Sequence, residues 1–188
     1  GEMLSKTNHK VSIKNEFARK NPSTFRKLMH QIRNFFTGAE RRKIDLKIKQ
    51  GMDLNLEDDL LPAFAKRVIR KYLVYRGPNC FHAALAFHSF DMTKSKYFNV
   101  KEEEGYHRVM INYDELWRAI NSSFYEVDVA KSQLKYGDVL VFFDTPKTYD
   151  TIHFRWIRHA AIYLMGPYTF SKGSKSPDTP YTIKTLDE

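Results

Sequence analysis

The stretch that decides the fold is Gly77-Pro78-Asn79-Cys80-Phe81-His82-Ala83-Ala84-Leu85-Ala86-Phe87-His88. Gly77-Pro78 stops any helix that arrives from upstream. Asn79 then suits an N-cap, since its short side chain can accept from a backbone N–H of the first turn. From Cys80 to about Phe90 the sequence is apolar nearly all round, so the spacing predicts a helix buried against other layers rather than one lying on a surface. The only cysteine of the chain stands in its first turn.

Upstream, Asn21-Pro22-Ser23 offers helix-start chemistry. Phe25, Leu28, Met29, Ile32, Phe35 and Phe36 recur at steps of three and four, an amphipathic helix with Arg26, Lys27 and Arg33 outward, closing near Gly38. A basic linker is expected through Gly51. Glu57, Asp58 and Asp59 crowd the first turn of a second helix, whose inner stripe reads Leu61, Phe64, Ala65, Val68, Ile69 and Tyr72. Downstream, Asp114 to Ile120 indicates one more short helix. The period then changes to that of strands at Phe124–Val127, Val139–Phe143, His159–Leu164, Tyr168–Ser171 and Tyr181–Lys184, with turn signals at Gly137-Asp138, Gly166-Pro167 and Ser176-Pro177. Helices first and antiparallel strands afterwards is an α+β order.

The chain has 188 residues, 42% apolar and 14% aromatic, enough for a globular core; disordered, collagen-like and coiled-coil classes are excluded. No apolar run approaches the roughly 20 residues that span a bilayer. The net charge of +9 is unevenly placed. Residues 1–50 hold 13 Lys or Arg against 4 Asp or Glu, which leaves 18 of each sign for the rest. The expected organisation is therefore a basic, largely helical extension over 1–50 and a main domain over 51–188. The extension either presents a solvated helical surface or meets an anionic polymer, lipid or phosphate. Residues 1–20 are polar and carry no secretory signal.

A lone cysteine excludes a disulfide framework and a multi-cysteine metal site, so Cys80 is either buried filler or a chemical group. At a helix start, backbone N–H groups and the helix dipole favour a thiolate and can hold the oxyanion of an attacked carbonyl. Such a nucleophile needs a base. Of seven histidines, His159 has the most telling setting, at the head of a strand followed by Ala160 and Ala161, which leave room for a helix end to approach. His82 lies two positions from Cys80 and cannot face it, and His88 is two turns away. Those three side chains do not converge as zinc ligands do, so neither metal nor cofactor is implied.

Asn79-Cys80 opening a buried helix, then Leu134-Lys135-Tyr136-Gly137-Asp138-Val139-Leu140-Val141-Phe142-Phe143, then His159-Ala160-Ala161-Ile162-Tyr163-Leu164, resembles the NlpC/P60 group of papain-like cysteine peptidases. The resemblance covers about residues 75 to 185 and leaves out the basic extension. It implies a papain-like α+β fold, Cys80 as nucleophile and His159 as base, in the order of the unpermuted family. The residue that orients the histidine is commonly His, Asn or Gln. The matching position here is Ser171, a departure, with Asp178 as a substitute orienter. The family can place a tyrosine near the nucleophile, for which Tyr75 is the candidate here. Trp156, in the loop before the base strand, either walls the cleft or packs the loop down. The implied substrate is a bacterial cell-wall (peptidoglycan) peptide cut at a bond involving D-glutamate or diaminopimelate. The implied location is periplasmic or extracellular. Two rivals stay open: an acyltransferase or deamidase with the same dyad, and a non-catalytic wall- or anion-binding module.

Overall fold

The computed structural model describes residues 2–7, 10–73, 76–93, 110–128, 133–143 and 157–187. The chain is an α+β protein in two compact units, Gly1–Arg67 and Val68–Glu188.

In the first unit, strands β1 (Leu4–Thr7) and β2 (Lys10–Ile13) form an antiparallel pair that the polar lead-in did not announce. Helices α1 (Asn15–Lys20), α2 (Pro22–Arg33) and α3 (Gly38–Lys49) follow. Pro22 occupies the first position of α2, where its missing N–H costs nothing, and Phe25, Met29 and Ile32 are buried along the expected stripe. The stretch expected to be a linker is helix α3. Thr37 and Glu40 close a capping box, and Arg33 pairs with Asp45 across the two helices. Only Ile44 of α3 is buried, so apolar periodicity could not announce it.

Strand β3 (Leu54–Asn55) pairs with β2, and short helices α4 (Leu56–Asp59) and α5 (Ala63–Val68) complete the unit. The buried Asp59 carboxylate accepts from Lys47 Nζ at 2.6 Å and from the Asn55 N–H at 2.8 Å. These ties bind residues beyond Gly51 to the basic segment, so the structural division falls after Arg67. The long second helix is a correction: Pro62 separates α4 from α5, and Arg70 adopts φ 60°. Beyond α5 the chain leaves helical geometry. The Arg70 N–H donates to the Tyr181 carbonyl at 2.8 Å, and Tyr72, expected inside, is 69% exposed.

The second unit is built on α6 (Cys80–His88), followed by a 3-10 turn at Phe90–Thr93 and α7 (Tyr113–Ser123). Four strands, β4 (Val139–Phe143), β5 (Ile157–Met165), β6 (Tyr168–Lys172) and β7 (Tyr181–Thr185), form an antiparallel sheet in that order. Phe124–Val127, expected as a strand, is not one. The Phe124 ring instead packs edge-on to His88 at 4.9 Å. At the head of β4, Gly137 takes φ 94°. Its N–H donates to the Tyr163 carbonyl at 2.8 Å, and Tyr163 N–H returns a bond to the Asp138 carbonyl at 2.9 Å. The left-handed conformation favours glycine there.

Candidate functional site around Cys80

Asn79 fixes the start of α6 from both sides. Its side-chain oxygen accepts from the His82 N–H at 3.0 Å, and its Nδ2 donates to the Ile111 carbonyl at 2.8 Å. Every residue of α6 from Cys80 to Phe87 is buried, His82 included, as a helix apolar nearly all round requires.

The sheet face beneath this helix is set by aromatic packing. Phe87 of α6 lies 5.6 Å from the Phe170 ring, and Phe170 stacks on Tyr181 at 5.9 Å. Phe170 is the cross-strand partner of Ile162. Because side chains alternate along a strand, Ala160, Ile162 and Leu164 of β5 share the helix-facing side with Phe170 and Lys172 of β6. All five have essentially no exposed surface. Ala160 is small enough for the first turn of α6 to settle against β5, and its backbone N–H faces the Cys80 sulfur.

The same alternation sends His159 and Ser171 to the other face. His159 pairs with Phe142, its ring 5.8 Å away, and Ser171 pairs with Thr182. Burial, followed by the Lys184 ammonium, pushes the imidazole below its ordinary value. The structure therefore does not bring His159 and Ser171 to Cys80. The room that Ala160 and Ala161 leave admits the helix end, but to the Ala160 side. Asp178 accepts from the Ser176 hydroxyl, and its own backbone N–H donates to that hydroxyl, both at 3.4 Å, within the β6–β7 loop. Tyr75 and Trp156 lie outside the described residues.

Cys80 is 7% exposed. Burial pushes its thiol above the ordinary value, while the N–H groups of Ala160, Phe81 and Cys80 itself, together with Lys172, pull it back. Lys172 is the residue that sequence reasoning missed. It has no exposed surface, donates through Nζ to the carbonyls of Ser174 and Ser176, and sits 5.9 Å over the Tyr181 ring. Burial lowers its basicity, and the charge of Cys80 raises it. The signal was present in the alternation Tyr168, Phe170, Lys172, which puts a lysine in step with aromatic core residues.

Among the described residues, no cluster of three or more His, Cys, Asp or Glu side chains is arranged to hold a metal ion, and no helix is long and apolar enough to cross a membrane. The second unit thus belongs to the class of α+β proteins in which a four-stranded antiparallel sheet backs a buried, cysteine-headed helix. No family model, curated protein or solved structure matches the chain.

Proposed function

We propose that the chain is a cysteine hydrolase of papain-like type whose nucleophile is Cys80. The observation that carries this reading is the position of the thiol at the capped first turn of α6, with the Ala160 N–H turned toward it from the neighbouring strand. The N–H groups of Ala160, Phe81 and Cys80 itself pull toward the thiolate, against the larger effect of burial, which raises the thiol, and groups of this kind stabilise the oxyanion that forms when a carbonyl is attacked. The chain order of cysteine-headed helix, Gly-Asp-headed strand and histidine-bearing strand adds support.

In the reaction, the sulfur adds to an amide carbonyl carbon and the C–N bond breaks. The amine departs carrying the thiol's proton. Water then splits the thioester, giving a carboxylic acid and restoring the thiol. The proposed substrate is a cell-wall peptide met in a periplasmic or extracellular setting, with the basic first unit contacting the anionic polymer around it. An acyltransferase or deamidase would share the first half of the reaction and differ in what resolves the thioester.

A second reading is favoured by a specific observation. The thiol is covered and His159 lies across the sheet from it, which suits a binding module without turnover. Mass spectrometry of peptidoglycan digests separates the two. The hydrolase reading expects new peptide fragments with the wild-type chain and none with Cys80→Ala. Unchanged fragments at high protein concentration would favour the binding module.

A further inference from the structure

Three helices of the first unit each contribute one cation to the lining of a single cavity of about 360 Å³: Arg19 from α1, Arg26 from α2 and Lys49 from α3. Ala18, Phe25 and Ile48 supply the apolar part of the lining. Arg26 Nε donates to the Pro22 carbonyl at 3.3 Å, which lays the guanidinium along the first turn of α2. Among the described residues, none of these three cations takes part in an ion pair. The neighbouring carboxylates have other partners: Glu16 holds Lys20, and Asp53 accepts from the Asn15 N–H at 2.8 Å. Compensation for three gathered like charges is left to an anion from outside.

Lys49 belongs also to the outward face of α3. Arg42, Leu46 and Lys49 follow at steps of four and three, so they share one side of the helix, with Lys43 beside them, and all four are exposed. Leu46 is 55% exposed, and Met52, in the turn that follows, is 48% exposed. The Met52 N–H donates to the Lys47 carbonyl at 3.0 Å, which folds that turn back on the end of α3. We infer that this face of the first unit docks on an anionic lipid bilayer, with a lipid phosphate seated in the cavity between Arg19, Arg26 and Lys49 and with Leu46 and Met52 entering the interface. Both terms of interfacial binding are present, cations for the headgroups and apolar side chains for the acyl boundary. The charges alone would suit a wall polymer or a nucleic acid equally well. Leu46 and Met52 make the difference, since a hydrated polyanion offers no apolar medium in which to bury them. The face lies wholly within the first unit and uses neither Cys80 nor its neighbours, so it stands or falls apart from the hydrolase reading.

The test is flotation of the full chain with lipid vesicles at about 0.1 M salt, where the screening length is about 10 Å. One vesicle preparation is phosphatidylcholine alone, and the other contains about one third phosphatidylglycerol, enough for a strong negative surface potential. The wild-type chain is expected to float with the anionic vesicles and not with the neutral ones. Replacing Arg19, Arg26 and Lys49 together by Gln should weaken binding about fivefold for each charge removed. Leu46→Ser with Met52→Ser should weaken it about tenfold while leaving its salt dependence in place. Replacing Lys71, Arg118 and Lys135 of the second unit by Gln removes the same charge and should leave binding unchanged. Equal loss in the two triple variants, or no effect of the Leu46 and Met52 changes, would overturn the inference, as would retention on isolated wall sacculi or duplex DNA without flotation. Free inorganic phosphate that abolishes flotation at unchanged ionic strength would assign the cavity to phosphate itself and overturn the lipid assignment. A readout that needs no variant is hydrogen exchange of the wild-type chain. Amides of residues 46–52 should exchange more slowly with anionic vesicles than with neutral ones, and unchanged exchange would count against the docking face.

Discussion

His159 and Ala160 are adjacent in β5 and face opposite sides of the sheet: Ala160 underlies the head of α6, whereas His159 lies against Phe142. This single alternation decides which strand residues the Cys80 thiol can meet. It also fixes a size limit, because Ala160 has no exposed surface.

Ala160→Leu is therefore expected to force α6 off the sheet and destabilise the second unit by about 1–3 kcal/mol, the usual result of overpacking. His159→Ala, on the half-buried opposite face, should cost less. Urea unfolding of the two variants checks the order, and equal midpoints would contradict the assignment of faces.

Much of this was legible in the sequence. Asn79 after Gly77-Pro78 marked the start of α6, and the apolar runs with their glycine turns marked β4 to β7, because capping and turn chemistry are local. Other features, helix α3 and the inner face of β5 among them, were not legible. Helix α3 buries only Ile44, so its stability comes from the Thr37–Glu40 box and the Arg33–Asp45 pair rather than from an apolar stripe. The face of β5 that meets α6 was equally hidden, since Ala160 and Ala161 are alike in size. The choice is made by Phe170 meeting Phe87, a contact between residues distant in the chain. That is why His159 read as the partner of Cys80 and Lys172 went unnoticed.

The Asn79 side chain serves two backbone groups, the His82 N–H and the Ile111 carbonyl. Asn79→Ala removes both bonds, and its expected cost is about 1–2 kcal/mol, at the upper end for an N-cap because the Ile111 carbonyl also loses its donor. Asn79→Asp keeps the cap to His82 and loses the donor, so its denaturation midpoint should fall between wild type and alanine.

His88 gives the second unit a dependence on acid. Its Nε2 lies 2.7 Å from the Gly137 carbonyl, so Nε2 carries the proton in the neutral ring. Burial, the largest influence, holds its pKa below the ordinary 6.5, against the pull of the Gly137 carbonyl and Asp138. The folded state therefore binds this proton less readily than the unfolded chain does. The stability it contributes is complete above the unfolded value of about 6.5 and is lost as pH falls through the lower folded value. His159 shifts in the same direction. Thermal melts from about pH 7.5 down to about pH 5 should show the loss, and His88→Gln should flatten part of it. A variant as acid-sensitive as wild type would contradict the assignment.

The most direct measurement is to catch the acyl group on the sulfur. Wild-type chain is mixed with cell-wall peptides, quenched in acid within the first turnovers, digested and mapped by mass spectrometry. The expected result is an acyl mass increment on the peptide that contains Cys80, lost on treatment with hydroxylamine and absent in Cys80→Ala. A wild-type Cys80 peptide that stays unmodified while the same digest shows peptide cleavage would contradict the claim that this thiol is the nucleophile.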